Sequence, residues 1–107
     1  MNRYENIDEK ECEKIIKSLK RFGKRFVDTV VDKYIENFEY YDAGVALHDA
    51  ICDALLDELN FYEDEGSEGA YEYVDDTALN IMDGDYKNIK DIQDEIDIII
   101  DDERKNR

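Results

Sequence analysis

ALHDAICDALLDELNFYEDEG, residues 46–66, sets the terms for the whole chain. Placed at about 100° per residue, Leu47, His48, Ile51, Cys52, Ala54, Leu55 and Leu59 fall on one arc, while Asp42, Asp49, Asp53 and Asp57 share the opposite one. A helix over about 43–61, opened by Asp42 and Gly44, satisfies both sets. One face is apolar and the other almost purely anionic, with no Lys or Arg nearby.

The same period continues on either side. Ile7 and Asp8 followed by Glu11 and Cys12 have the form of a helix start, with Asp8 as N-cap, Glu11 at N3 and Ile7 set to staple against Cys12. Cys12, Ile15, Ile16, Leu19, Phe22, Phe26, Val30, Tyr34 and Phe38 then recur at spacings of three and four. This predicts one long helix over about 8–38. Gly23 sits inside the apolar stripe, and because the phase runs through it, a close crossing by another helix is expected there in preference to a break.

EDEGSEG, residues 63–69, is expected to form a loop, with Ser67 as a cap. Tyr71, Val74, Ala78 and Ile81 keep helical spacing over about 70–82, although AYEYV alone also suits a strand. After the turn at Asp83, Gly84 and Asp85, the series Ile89, Ile92, Ile96 and Ile99 predicts a last helix reaching about residue 104. The expected fold is all-α: a small four-helix bundle-like domain with a long N-terminal helix, formed by residues 1–107 as a single acidic helical domain. There is no proline and no internal repeat.

Charge is divided unevenly. The total is −16, yet residues 1–35 carry nine Lys and Arg against seven Asp and Glu, whereas residues 36–103 carry two against 23. Sixteen carboxylates and no cation lie between Lys33 and Lys87. Such a field repels nucleic acid and anionic membranes and attracts basic surfaces within a Debye length of roughly 8–10 Å. At 42% hydrophobic residues, including eight Tyr and four Phe, the chain is too apolar for a disordered acidic tail and should fold. No apolar run approaches the ~20 residues that span a bilayer, and MNRYENIDEKE lacks the h-region of a signal peptide; a cytoplasmic location is expected.

Catalytic constellations are hard to assemble from one His, two Ser and no Gly-rich loop. His48-Asp49 resembles half of a metal phosphohydrolase pair without the further His ligands, and His48 lies on the apolar arc. Asp83-Gly84-Asp85 begins like a calcium loop, but Lys87, Asn88 and Asp94 occupy the positions that need an oxygen ligand, Gly and Glu. A di-iron Glu-x-x-His pair is excluded because Val45 stands where the Glu belongs. Cys12 and Cys52 have no CxxC spacing and belong to no Cys/His cluster, and are expected to be reduced and at least partly buried. The expectation is therefore no catalysis, no cofactor and no metal. Lys17, Lys20, Arg21, Lys24 and Arg25 form a basic flank on the first helix, expected to work within the molecule against the acidic helices.

Like charges at i, i+4 cost a helix roughly 0.2–0.5 kcal/mol per pair, which burial of Leu47, Ile51 and Leu55 at about 1.5–3 kcal/mol each readily offsets. Solubility alone is one account of the acidic face. Mimicry of nucleic acid is another: duplex DNA carries one phosphate per ~1.7 Å of axis, and carboxylates about 5–6 Å apart on neighbouring helices offer a comparable track. The residues expected to meet a partner are Asp42, Asp49, Asp53, Asp57, Glu63, Asp64, Glu65, Glu68, Glu72, Asp75 and Asp76. Tyrosines beside acids, as in Glu39-Tyr40-Tyr41-Asp42 and Tyr71-Glu72-Tyr73, suit a recognition surface.

Leu47-His48-Asp49-Ala50-Ile51, with further Ala and Asp at helical spacing and then an aromatic acidic stretch, resembles the helix of ocr-type antirestriction proteins of phages. The resemblance covers about ten to twenty residues. It implies a helical homodimer that imitates bent DNA and, without catalysis, occupies the basic groove of a restriction enzyme, a CRISPR effector or another nuclease, contacting neither nucleic acid directly nor membrane. The basic flank and the basic tail of Arg104, Lys105 and Arg107 have no counterpart in that comparison. Two other classes stay open: an immunity protein against a basic nuclease, and an adaptor whose Phe22, Gly23 and Phe26 form a subunit interface.

Overall fold

A computed structural model describes the chain over residues 7–59 and 73–105. Within those residues it is all-α, with no strand: α1 (Glu9–Ser18), a 3-10 turn (Leu19–Phe22), α2 (Lys24–Phe38), α3 (Ala43–Glu58), α4 (Val74–Met82) and α5 (Ile89–Lys105). None of these helices is long and apolar enough to cross a membrane.

The N-terminal stripe forms two helices instead of one. Asp8 caps α1 by accepting from the Glu11 amide at 2.9 Å. The chain then tightens into the 3-10 turn and is redirected at Gly23, whose φ of 97° and ψ of 160° lie in a region that only glycine visits freely. A Cβ built on Gly23 meets nothing within 4 Å, so the expected close crossing is absent and the glycine serves the backbone. Apolar phase survives the break because the turn keeps Leu19 and Phe22 facing the core, where Phe22 and Phe26 pack with ring centroids 5.3 Å apart.

The central element is α3, which packs against α1, α2 and α4 and most extensively against α2. Gly44, Ala46, Leu47, His48, Ala50, Ile51, Ala54 and Leu55 are all buried. The buried arc therefore exceeds half the circumference, and the anionic face is a narrow ridge instead of a full half. Ala46, Ala50 and Ala54, each fully buried, repeat every four residues and let neighbouring helices approach closely. Leu19, Phe26, Val30, Ile81, Ile92 and Ile96 close the same core. Cys12 joins it as a free thiol at 0% exposure and acts as a small apolar side chain.

α4 begins at Val74, inside the helical range expected for 70–82, and residues 70–72 lie outside the described residues. It ends in a Schellman turn: Gly84 at φ 94° lets the Asp85 amide reach the Asn80 carbonyl at 2.9 Å. Asn88 then caps α5 through the Asp91 amide at 2.9 Å. Asp83, Gly84 and Asp85 thus serve as helix-ending residues.

Candidate functional site

The expected acidic residues divide by element. On α3, Asp49 is half-buried while Asp53 and Asp57 are exposed, and Asp42 sits at the extended N-cap position without capping through its side chain. Asp75 and Asp76 are exposed in the first turn of α4, where the helix dipole also favours them. Glu63, Asp64, Glu65, Glu68 and Glu72 lie outside the described residues. Asp49, Asp53 and Asp75 are brought together along one cleft of about 560 Å³, shared with Asn37, Tyr41 and Cys52.

Among the described residues, no Lys or Arg forms an ion pair with these carboxylates. The ion pairs between described Lys or Arg and acidic residues are Lys24–Asp28, Arg25–Glu58, Lys33–Glu36, Lys90–Asp94 and Lys105–Asp101, and none reaches Asp42, Asp49, Asp53, Asp57, Asp75 or Asp76. Burial first, then Asp49 and Glu36, raise the Asp53 carboxyl above its usual value, and Lys33 opposes the rise without forming a pair. Exposed aromatic side chains lie at the neighbouring helix ends: Phe38 ends α2, Tyr40 and Tyr41 follow it, and Tyr73 precedes α4, with Tyr41 lining the cleft.

The basic flank turns partly inward, as expected. Arg21 donates to the main-chain carbonyls of Tyr86 at 2.8 Å, Asp85 at 3.1 Å and Ile81 at 3.3 Å. Arg25 Nε lies 2.9 Å from Glu58 Oε1, close enough for an ion pair, though the oxygen accepts no well-aligned hydrogen bond. Lys17, Lys20 and Lys24 remain on the surface.

One grouping was invisible in linear spacing. His48 and Cys52 are one turn apart on α3, and α4 delivers Asp75 to them. A donor atom from each of the three lies within 4.8 Å of the others. The Cys52 thiol donates to Asp75 Oδ1 at 3.5 Å, and its sulfur is 3.9 Å from His48 Nδ1. His48 Nε2 is 3.2 Å from the Asp75 carbonyl oxygen, and Nδ1 is 3.7 Å from Asp49 Oδ1. Burial, followed by Asp75, Asp49 and Asp53, pushes the Cys52 thiol well above its ordinary value and keeps it protonated. The i, i+4 His/Cys pair was the available signal; its partner, 23 residues beyond Cys52, had none.

Comparison with protein-family models, curated proteins and solved structures finds no match to this chain.

Proposed function

We propose that the protein is a non-catalytic acidic inhibitor that presents carboxylates in place of nucleic-acid phosphates and blocks the binding groove of a basic defence protein: a restriction enzyme, a CRISPR effector or another nuclease. The place of action is the bacterial cytoplasm. The observation that supports this reading is the set Asp49, Asp53, Asp57, Asp75 and Asp76, held on packed helices with no Lys or Arg partner among the described residues. Rigid, unpaired charge lowers the entropic cost of binding, and a cationic groove supplies the missing counter-charges. Similarity of the Leu47–Ile51 stretch to ocr-type antirestriction proteins points the same way and extends the reading to a homodimer.

An adaptor or immunity role is the second reading, favoured by the exposed Ile35, Phe38 and Tyr41 at the end of α2. Capture from a bacterial lysate on immobilised protein separates the two. Charge mimicry predicts that retained proteins bind nucleic acid and are eluted by duplex DNA and by moderate salt. Retained proteins that resist both eluents would support the adaptor instead.

A further inference from the structure

We propose that His48, Cys52 and Asp75 form a binding site for a divalent transition-metal cation of the Zn²⁺ class. One nitrogen, one sulfur and one oxygen converge from two packed helices, a mixed donor set that suits Zn²⁺ and is foreign to the all-oxygen shells of Mg²⁺ and Ca²⁺.

The distances suit it. Metal–ligand bonds of about 2.0 Å to nitrogen and oxygen and about 2.3 Å to sulfur imply ligand–ligand edges of roughly 3.3–3.6 Å in a tetrahedron. The Sγ to Asp75 Oδ1 edge is already 3.5 Å, and the Sγ to His48 Nδ1 edge, at 3.9 Å, must close by a few tenths of an ångström. The third edge, from the His48 ring nitrogen to the Asp75 carboxylate, is within 4.8 Å and closes by side-chain rotation of the exposed Asp75.

A second, independent observation concerns the imidazole. His48 Nε2 faces the Asp75 main-chain carbonyl oxygen at 3.2 Å, and in the tautomer that donates there Nδ1, 3.9 Å from the sulfur, is the ligating nitrogen. Ligating histidines characteristically have their other ring N–H held in this way. Asp75 thus acts twice, its carbonyl meeting the imidazole and its carboxylate completing the donor set. Asp49, Cys52 and Asp75 also line the cleft, which gives a cation a path in.

Binding is balanced by one proton. The Cys52 thiol now donating to Asp75 releases its hydrogen to solvent and gives a sulfur lone pair to the cation, while a ring nitrogen of His48 and a carboxylate oxygen of Asp75 each supply a further lone pair. Thiolate and carboxylate together cancel the two positive charges.

The test is titration of the reduced full chain with Co²⁺ in excess Mg²⁺, followed by absorption, with circular dichroism as a check on folding. Wild type and Cys12→Ser should bind one Co²⁺ with a thiolate-to-metal charge-transfer band that Zn²⁺ abolishes. Cys52→Ser should lose that band, and Asp75→Asn should keep it while binding about tenfold or more weakly. Cys52 is only partly buried and Asp75 is exposed, so at least one of these variants retains the helical spectrum. No charge-transfer band in wild type, its persistence in Cys52→Ser, or its loss in Cys12→Ser would each overturn the site, as would binding that Mg²⁺ removes.

Discussion

The Arg21 guanidinium donates to the Tyr86 carbonyl at 2.8 Å, joining positions 65 residues apart. Tyr86 is the non-glycine residue with positive φ among those described, at 69°, and Arg21 also holds the carbonyls of Asp85 and Ile81 beside it. One side chain thereby closes the C-terminal end of α4 and fixes the turn into α5. Charge-assisted hydrogen bonds contribute about 1.5–3 kcal/mol each where they are shielded. Arg21→Ala should lower unfolding free energy by about 2 kcal/mol in urea. Arg21→Lys should recover only part, because an ammonium cannot span three carbonyls. Equal stability of Arg21→Ala and wild type would show that the turn holds without it.

Gly23→Ala separates a backbone role from a packing role. Open space around a built Cβ means no clash, yet φ 97° with ψ 160° strains any L side chain. We expect a loss of about 1–3 kcal/mol, measured as a lower urea midpoint with an unchanged slope. A neutral substitution would mean that α1 and α2 can join by another path.

Asp53 predicts a pH dependence. Its carboxyl holds a proton more tightly in the folded chain than in the unfolded one, so it contributes stability when protonated, and that contribution is lost as pH rises through the raised folded value. Ionised Asp53 therefore costs stability at neutral pH. Asp53→Asn should stabilise the fold by about 0.5 kcal/mol at pH 7, through relief of the partly buried charge and of repulsion from Asp49 and Glu36, and the gain should vanish below the ordinary Asp range. Thermal melts across pH test this; a gain that grows on acidification contradicts it.

Much of the fold was legible because apolar period and caps are local signals. Asp8, the Ile89 to Ile99 series and the α3 arc are all short-range patterns. Gly23 misled because its stripe continues on both sides of a 3-10 turn that preserves core-facing Leu19 and Phe22, and side-chain periodicity carries no trace of one φ. The breadth of burial on α3 was hidden in Ala46 and Ala50, which read as neutral until a neighbouring helix covers them. His48, Cys52 and Asp75 meet only through packing of α3 against α4, so no spacing rule could join them. That no described Lys or Arg pairs with Asp49, Asp53, Asp57, Asp75 or Asp76 follows the absence of cations between Lys33 and Lys87 in the sequence.

The most direct measurement uses a captured DNA-binding partner loaded with fluorescent duplex DNA, and follows release of the DNA by anisotropy at several salt concentrations. Wild-type protein should displace the duplex near stoichiometry at low salt and lose potency steeply as salt rises. The Asp49→Asn, Asp53→Asn, Asp57→Asn triple variant should fold as well as wild type and displace at least about tenfold less effectively. Equal displacement by the triple variant would contradict the claim that this ridge stands in for phosphates.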